Sequence, residues 1–366
     1  MGYLLAACAI ALCALVAWRW QVERERILVP PDPADAAAVA LAVIGDSDSH
    51  SYQDIYTFPI ASPMRGGAFR QGSLQWTEVL DRLRGKNLDL GPWGMYGYRR
   101  ILARAGRVLG AAPRSPRKRD FRYNFAITGA GCDDLLDSPQ AQVRQLLALM
   151  EGEPARWHDG IVVIRMGVNS FGGGEALEAL ARDAATSSAL QTIAGCVAAL
   201  DRSVALLHAR QPGLRIVLVG IFNNADWPPN LDRWQSPAAL ANIQAGLDAF
   251  DAPLRKMADA DRRIAFFDDR AWFAGHWGSR DSAGLPAYRD LQLPGLRVSN
   301  TSGDESHHAV LEDGHAGTAW NACWAQSLVA LLNARFDARI APITDAEIVA
   351  LVGAGATGAA GPADPP

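Results

Sequence analysis

The sequence predicts an α/β fold in which helices cover both faces of a parallel sheet. Two observations support this prediction. Short, almost wholly aliphatic runs without polar alternation are typical of strands that are buried on both faces. Long helical segments separate these runs, as the crossover connections of parallel strands require. The predicted strands are 41–44, 125–131, 161–169, 215–221 and 264–267.

Helical periodicity and cap residues place the helices between and after these strands. Ser73 caps a predicted helix that runs to Leu83, and Thr344 with Glu347 forms a capping box for a last short helix. The other predicted helices are 140–149, 187–209, 236–257 and 318–336. A long insert, about 50–120, is rich in glycine and aromatic residues. Because a structureless loop of this length is implausible, we expect a cap above the sheet edge.

Composition narrows the choice of partners. The chain has 366 residues, enough for one elaborated domain or two, and a formal net charge of −4. This charge argues against nucleic acid as the main partner, since phosphate binding requires clustered positive charge. The one basic cluster, 114–119, predicts a solvated loop, with contact to anionic lipid or polymer as the alternative.

The N-terminus carries an uncharged apolar run over 3–18, followed by Arg19, Arg24 and Arg26. Segment 1–28 therefore predicts an uncleaved membrane anchor, with a cleaved export signal as the alternative. The arginines favour a cytoplasmic domain, whereas an export signal places it outside. A stiff proline-rich linker, 29–37, precedes the folded domain over 38–340, and the tail from Gly353 is expected to be disordered.

Polar residues gather where the first strand ends. Gly45 ends the strand, and Asp46, Ser47, Asp48 and Ser49 follow it. Ligands of open α/β sheets bind at the carboxyl ends of the strands, so Ser47 is well placed to be a nucleophile.

Later segments supply the groups that a serine nucleophile needs. Glycines end the second predicted strand at Gly129, and Asn169 ends the third. Their backbone and amide N–H groups can stabilise an oxyanion. Near the C-terminus, His315 stands beside the carboxylates Glu312 and Asp313, at the start of a predicted helix.

This order of Ser, Gly, Asn, acid and His resembles the SGNH (GDSL-type) hydrolase family over residues 38–336. The resemblance implies a flavodoxin-like, three-layer α/β/α fold and a serine esterase that requires no metal or cofactor. Ser47 is then the nucleophile, His315 the base, and Asp313 or Glu312 the orienting acid. Ser47, Gly129 and Asn169 form the oxyanion hole. The family spacing of acid and His falls on Glu312, whereas Asp313 lies one position nearer.

The resemblance also bears on substrate and location. Asp48, Gly167 and Asn223 are expected to contact the substrate, an acyl or acetyl ester of a small molecule or a carbohydrate. The catalytic domain is expected on the periplasmic side of a membrane, or secreted. Asp304 and His307 have the family spacing as well and form a second candidate pair. His50, His307 and His308 are otherwise expected on the surface or in loops.

Two other functions remain open at this stage. An O-acyltransferase would use the same residues to pass the acyl group to a polysaccharide hydroxyl. Asp46 and Asp48 also resemble the aspartate pair of haloacid-dehalogenase-like phosphatases, which would recruit Thr128, Lys256 and the pair Asp268–Asp269 with Mg²⁺.

Five cysteines, at 8, 13, 132, 196 and 323, fit neither a metal site nor a disulfide framework. Cys196 and Cys323 lie on predicted apolar helix faces, and Cys132 lies just beyond Gly129. One disulfide among these three is left open.

Overall fold

The structure of the protein is a computed structural model that describes residues 38–108 and 113–356. In chain order the strands are β1 (Val39–Gly45), β2 (Leu88–Asp89), β3 (Trp93–Tyr96), β4 (Lys118–Phe121), β5 (Ile161–Arg165), β6 (Arg215–Val219), β7 (Ile264–Phe267), β8 (Leu291–Leu293), β9 (Leu296–Ser302) and β10 (His308–Val310). Five of them form a parallel central sheet in the order β2-β1-β5-β6-β7. The predicted five-stranded parallel sheet is confirmed.

Helices cover both faces of this sheet. They are α1 (Trp76–Arg84), α2 (Arg100–Val108), α3 (Gln142–Gly152), α4 (Gly174–Arg182), α5 (Ser187–Arg210), α6 (Pro237–Ala260), α7 (Asp269–Trp277), α8 (Thr318–Phe336) and α9 (Asp345–Ala356). Side chains alternate across a strand, so Ala42 and Ile44 enter one core, with α3 to α6. Leu41 and Val43 enter the other core, with α1, α7 and α8.

The second predicted strand, 125–131, is wrong as a regular strand. The segment runs alongside β1, where Phe125 N–H donates to Val43 O (2.8 Å) and Ile127 N–H to Gly45 O (3.0 Å). The fifth strand of the sheet is instead the two-residue β2, which pairs with the start of β1. The segment around Phe125 therefore continues the edge that β2 begins, and it still delivers Gly129 to the carboxyl end of β1.

The predicted helices occur, with some changed ends. The helix over 318–336 is confirmed residue for residue as α8. The predicted cap Ser73 is wrong, because α1 begins at Trp76 and Gln75 is its N-cap. The capping box is present: Thr344 Oγ1 accepts from Glu347 N (3.2 Å), and Glu347 Oε2 accepts from Thr344 N (2.8 Å). The helix α9 continues past Gly353, where disorder was expected, to Ala356.

We expected the insert over 50–120 to form a cap above the sheet edge, but part of it is built into the central sheet and its helical layer. Its strand β2 belongs to the central sheet, and its helix α1 is buried against α8, with the Trp76 and Trp324 ring centroids 4.9 Å apart. The strands β3 and β4 form an antiparallel pair of their own.

The predicted anchor over 1–28 and the linker over 29–37 lie outside the described residues. Within the described residues, α5 is the one helix long and apolar enough to cross a membrane by length and composition. Ile193, Leu200 and Leu207 of α5 are buried in the core beneath the sheet, which accounts for its apolar character.

Candidate active site

Ser47 lies in a tight turn directly after β1. Gly45 is required there, because a Cβ would lie 2.7 Å from Arg165 O of the neighbouring strand. Asp46 folds the turn: its side chain accepts from Asp48 N (2.9 Å) and its carbonyl from His50 N (3.0 Å). Burial, and then the charge of Asp48, raises the pKa of Asp46 well above its usual value. The turn holds Ser47 at the carboxyl edge of the sheet, with 8% of its surface exposed.

His315 lies in a short loop between β10 and α8. Gly314 takes a positive φ of 79°, and Leu311 N–H donates to His315 O at 2.7 Å. The indole of Trp227 donates to Gly314 O (3.1 Å), and the hydroxyl of Tyr52 donates to Ala316 O (2.9 Å). The loop is therefore fixed from both sides, which fixes the position of the imidazole.

The structure brings Ser47 and His315 to the wall of one cavity of about 210 Å³. Asp48 and Asn169 line the same cavity. In the described part of the chain, no hydrogen bond joins Ser47 Oγ to His315 Nε2. Such bonds are often long in unliganded enzymes and tighten when the substrate binds.

Asp313 is the carboxylate that contacts the imidazole. Its Oδ1 lies 3.2 Å from His315 Nδ1 and also accepts from His315 N at 3.2 Å. Burial raises the pKa of Asp313, but the hydrogen bond and charge of His315 and the charge of Arg65 outweigh it, so the pKa lies well below its usual value. Glu312 contributes only its backbone N–H, to Asp304 Oδ1 at 3.0 Å. The geometry therefore favours Asp313 over Glu312 as the orienting acid.

The three predicted oxyanion donors each keep a free N–H group, and Ser47 and Asn169 line the cavity, whereas Gly129 is not among its lining residues. The backbone N–H groups of Ser47 and Gly129 have no hydrogen-bond partner among the described residues. Gly129 is exposed, with φ of 76° and open space around it. Asn169 Nδ2 donates one of its two N–H groups to Ala130 O (2.9 Å), which leaves the other available.

Two predicted substrate contacts lie elsewhere. Asn223 is 8% exposed, and its side chain accepts from Ala225 N (3.1 Å) to cap a 3₁₀ turn. Gly167, with φ of 140°, packs beneath Phe171. Neither residue is among those that line the cavity. Asn224 and Asn230 line it instead, together with the rings of Phe222, Trp227 and Trp320.

A buried arginine also reaches this site, which the sequence analysis did not identify. Arg165 ends β5, lines the cavity and donates to Asp48 O (3.1 Å) and Asp269 Oδ2 (3.0 Å). Trp324 Nε1 donates to the other oxygen of Asp269 (2.8 Å). The sequence does contain a signal for this pair: an arginine lies within a predicted strand, and an aspartate follows the last predicted strand.

The residues of the phosphatase alternative are only partly brought together: Asp48 and Asp269 meet at Arg165, whereas Asp268 and Lys256 lie apart from them. Asp268 is the N-cap of α7 and pairs with Arg255 (3.0 Å), while Asp269 is bound to Arg165. Lys256 lines a separate groove between α5 and α6. The second candidate pair also lies elsewhere: His307 is exposed, and Asp304 lines a different cavity from Ser47.

His50 lies in the loop that follows β1, which is one of the two expected places, but it is buried rather than on the surface. Its side chain is 1% exposed; Nε2 contacts Asp54 Oδ2 (2.9 Å), and Nδ1 accepts from Thr128 N (3.1 Å). Because Thr128 precedes Gly129, the buried His50–Asp54 pair helps to hold the segment that carries this candidate oxyanion donor.

The cysteine question is resolved within the described residues. Cys132 and Cys196 form a disulfide, with Cα atoms 5.2 Å apart, and Cys323 is free and buried.

Fold and site together define an α/β protein with a serine hydroxyl, an imidazole and a carboxylate gathered at the carboxyl edge of a parallel sheet. No family model and no curated protein matches the chain. Among solved structures it is similar to an extracellular lipase from Streptomyces rimosus, at 18% identity and a TM-score of 0.39. That alignment covers 80% of this chain and 100% of the lipase chain.

Proposed function

We propose that the protein is a serine esterase of the SGNH type that uses Ser47, His315 and Asp313. The observation that carries the proposal is the shared cavity. Ser47, at a strand end, and His315, in contact with Asp313, both line this cavity, although they are 268 positions apart in the sequence. A serine hydroxyl is a poor nucleophile until such a base accepts its proton.

The proposed reaction follows from these positions. Ser47 Oγ attacks the ester carbonyl while its proton passes to His315 Nε2, and Asp313 stabilises the resulting imidazolium. The N–H groups of Ser47, Gly129 and Asn169 would bind the oxyanion. Loss of one such donor typically costs about 2.7–4 kcal/mol of transition-state stabilisation. The proton then moves to the leaving alcohol, and water repeats the sequence to release the acid.

The cavity favours a short acyl group on a polar alcohol. Its volume of about 210 Å³ lies below the roughly 300–1,000 Å³ of most ligand pockets. The amides of Asn224 and Asn230 and the rings of Trp227 and Trp320 offer hydrogen bonds and flat apolar surfaces, which suit a carbohydrate ester. Transfer of the acyl group to a sugar hydroxyl would use the same residues, and exclusion of water would decide between the two outcomes.

We also propose an extracytoplasmic location, periplasmic or secreted. The Cys132–Cys196 disulfide supports it, because disulfides persist in oxidising compartments and are rare in the cytosol.

The test is labelling with a serine-directed fluorophosphonate, together with hydrolysis of p-nitrophenyl acetate. We expect the wild type to be labelled and active with or without EDTA, and Ser47→Ala to lose both properties while remaining folded. Ser49→Ala is the matched control, because Ser49 lies in the same turn but its Oγ accepts from Trp76 Nε1 (3.2 Å). Labelling that persists in Ser47→Ala, or activity that requires Mg²⁺, would overturn the proposal.

A further inference from the structure

Arg65 is a buried arginine that contacts both the acid and the base of the candidate site. Its side chain is fully buried, and its guanidinium lies 4.3 Å from the Phe58 ring centroid and 5.1 Å from that of Tyr52. The arginine takes a positive φ of 60°, and Gly66 and Gly67 after it also have positive φ. Left-handed backbone at a non-glycine residue costs free energy, so the insert holds this side chain in place against a local preference.

The contacts of Arg65 are specific. Its backbone N–H and its Nη1 both donate to Asp313 Oδ2, at 2.8 and 2.7 Å. The same Nη1 lies 2.6 Å from His315 Nδ1. Its Nε and Nη2 have no hydrogen-bond partner among the described residues.

Two contacts compete for His315 Nδ1. Every guanidinium N–H is a donor, so the 2.6 Å contact with Arg65 Nη1 requires Nδ1 to accept, whereas the 3.2 Å contact with Asp313 Oδ1 requires Nδ1 to donate. The shorter contact, with Arg65, favours the accepting form of Nδ1. A neutral imidazole that accepts at Nδ1 carries its proton on Nε2. In that tautomer Nε2 cannot accept the proton of Ser47, although the acid and the base are both in position.

We propose that Arg65 is a positioning residue that holds His315 in a resting tautomer and opposes its protonation. The inference rests on the proposed esterase function and adds a control of its base. In the working state, Arg65 keeps its two bonds to Asp313 Oδ2, and Nδ1–H of His315 donates to Asp313 Oδ1 instead. The exchange of tautomers moves one proton from Nε2 to Nδ1, through water, and consumes none.

The charges around the imidazole support this competition. Asp313 on the same loop and Asp48 at the end of β1 favour a protonated ring. Arg65 from the insert and Arg165 from β5 oppose protonation, and Arg65 is in direct contact with Nδ1. The neutral hydroxyl of Tyr52 is committed to Ala316 O. Removal of Arg65 therefore removes the donor that competes with Asp313 for Nδ1.

The first test uses the wild-type protein and does not depend on catalysis. Histidine is labelled with ¹⁵N, and the His315 signals are assigned by their loss in His315→Gln. We expect a pyridine-type shift for Nδ1 and a pyrrole-type shift for Nε2 in the neutral form, with the two exchanged in Arg65→Met. A wild-type Nδ1 that already carries the proton would overturn the inference, even if Arg65→Met failed to fold.

The second test measures kcat/KM for p-nitrophenyl acetate against pH. In Arg65→Met the acidic limb is expected to move to higher pH, since a cation in contact with the base is gone. Arg65→Lys, which retains the charge, should return the limb towards the wild-type position. An unmoved limb in Arg65→Met contradicts the inference.

Arg70→Met is the matched control. Arg70 is a buried arginine of the same insert, and its Nη atoms donate to the carbonyls of Tyr52 (3.0 Å) and Pro59 (3.2 Å). Its loss should lower stability without moving the acidic limb. The proposed esterase function fails if hydrolysis survives in Ser47→Ala. The ¹⁵N result does not depend on hydrolysis, so it tests the role of Arg65 separately.

Discussion

At the scale of single residues, the choice between two adjacent carboxylates can be tested directly. Asp313 contacts His315 Nδ1, whereas the Glu312 side chain has no hydrogen-bond partner among the described residues. We expect Asp313→Asn to lower kcat for p-nitrophenyl acetate by several orders of magnitude, about 10⁴-fold if the amide stabilises the wrong tautomer. Glu312→Gln, the matched control, should stay within a few-fold of the wild type. A large loss in Glu312→Gln with an active Asp313→Asn would reverse the assignment.

The sequence could indicate which residue types form the site, but not which of those side chains contact one another. The sequence could predict that Ser47 and His315 lie at the same edge of the sheet, because Ser47 follows β1 directly and His315 shortly precedes α8. The roles of Asp313 and Glu312 depend on the tight Gly314 turn, whose shape no spacing rule supplies. Arg65 was not predictable, since its side chain crosses from a long insert into a loop 248 residues away.

At the scale of elements, the apolar runs located β1, β5, β6 and β7 well because a strand buried on both faces has a distinctive composition. The sequence did not indicate β2, which has two residues and depends on pairing with β1. The segment at Phe125 has strand-like composition, yet it only borders β1. Such edge assignments depend on long-range pairing with β1, which local sequence does not determine.

The Cys132–Cys196 disulfide connects two elements, because it joins the segment after Gly129 to the middle of α5 across 64 residues of chain. We expect reduction to lower the free energy of unfolding by about 2–4 kcal/mol, chiefly through the greater freedom of the reduced unfolded chain. Guanidinium unfolding with and without dithiothreitol measures this. Burial, with the charge of Asp345, raises the pKa of Cys323 to about 12, so this thiol should stay unreactive in the native protein.

The control for the disulfide is the double variant Cys132→Ala/Cys196→Ala. Dithiothreitol should leave its unfolding curve unchanged, and the curve should resemble that of the reduced wild type. An unfolding midpoint of the wild type that dithiothreitol does not move would show that the two sulfurs are not joined.

At the scale of the whole molecule, two buried titratable groups make the free energy of unfolding depend on pH. Burial, and then the charge of Lys118, lowers the pKa of His50 below its ordinary value of 6.5, although Asp54 opposes the shift. Burial raises the pKa of Glu78 to about 7, from an ordinary value of 4.5. These two groups act in opposite directions, so the pH dependence of the wild type alone does not isolate either.

The contribution of His50 has a definite sign. Below pH 6.5 the unfolded chain binds a proton at this residue before the folded protein does, so the stability it provides is full above pH 6.5 and falls with decreasing pH. The loss is at most about 1.4 kcal/mol per pH unit. The Glu78 contribution is lost as pH rises from 4.5 to 7, and it is common to the wild type and to variants of His50.

Comparison of wild type with His50→Gln therefore cancels the contribution of Glu78. We expect the difference in unfolding free energy between the two proteins, from urea curves at several pH values, to shrink as pH falls from 7.5 to 5.5. His307→Gln removes an exposed histidine and should run parallel to the wild type. In the wild type Asp54 titrates below this range: burial raises its pKa, but the hydrogen bond and charge of His50 outweigh burial. His50→Gln removes that charge, so the comparison measures the coupled His50–Asp54 pair. Parallel curves for the wild type and His50→Gln would mean that protonation of His50 is not coupled to folding, and that the segment before Gly129 is held by other contacts.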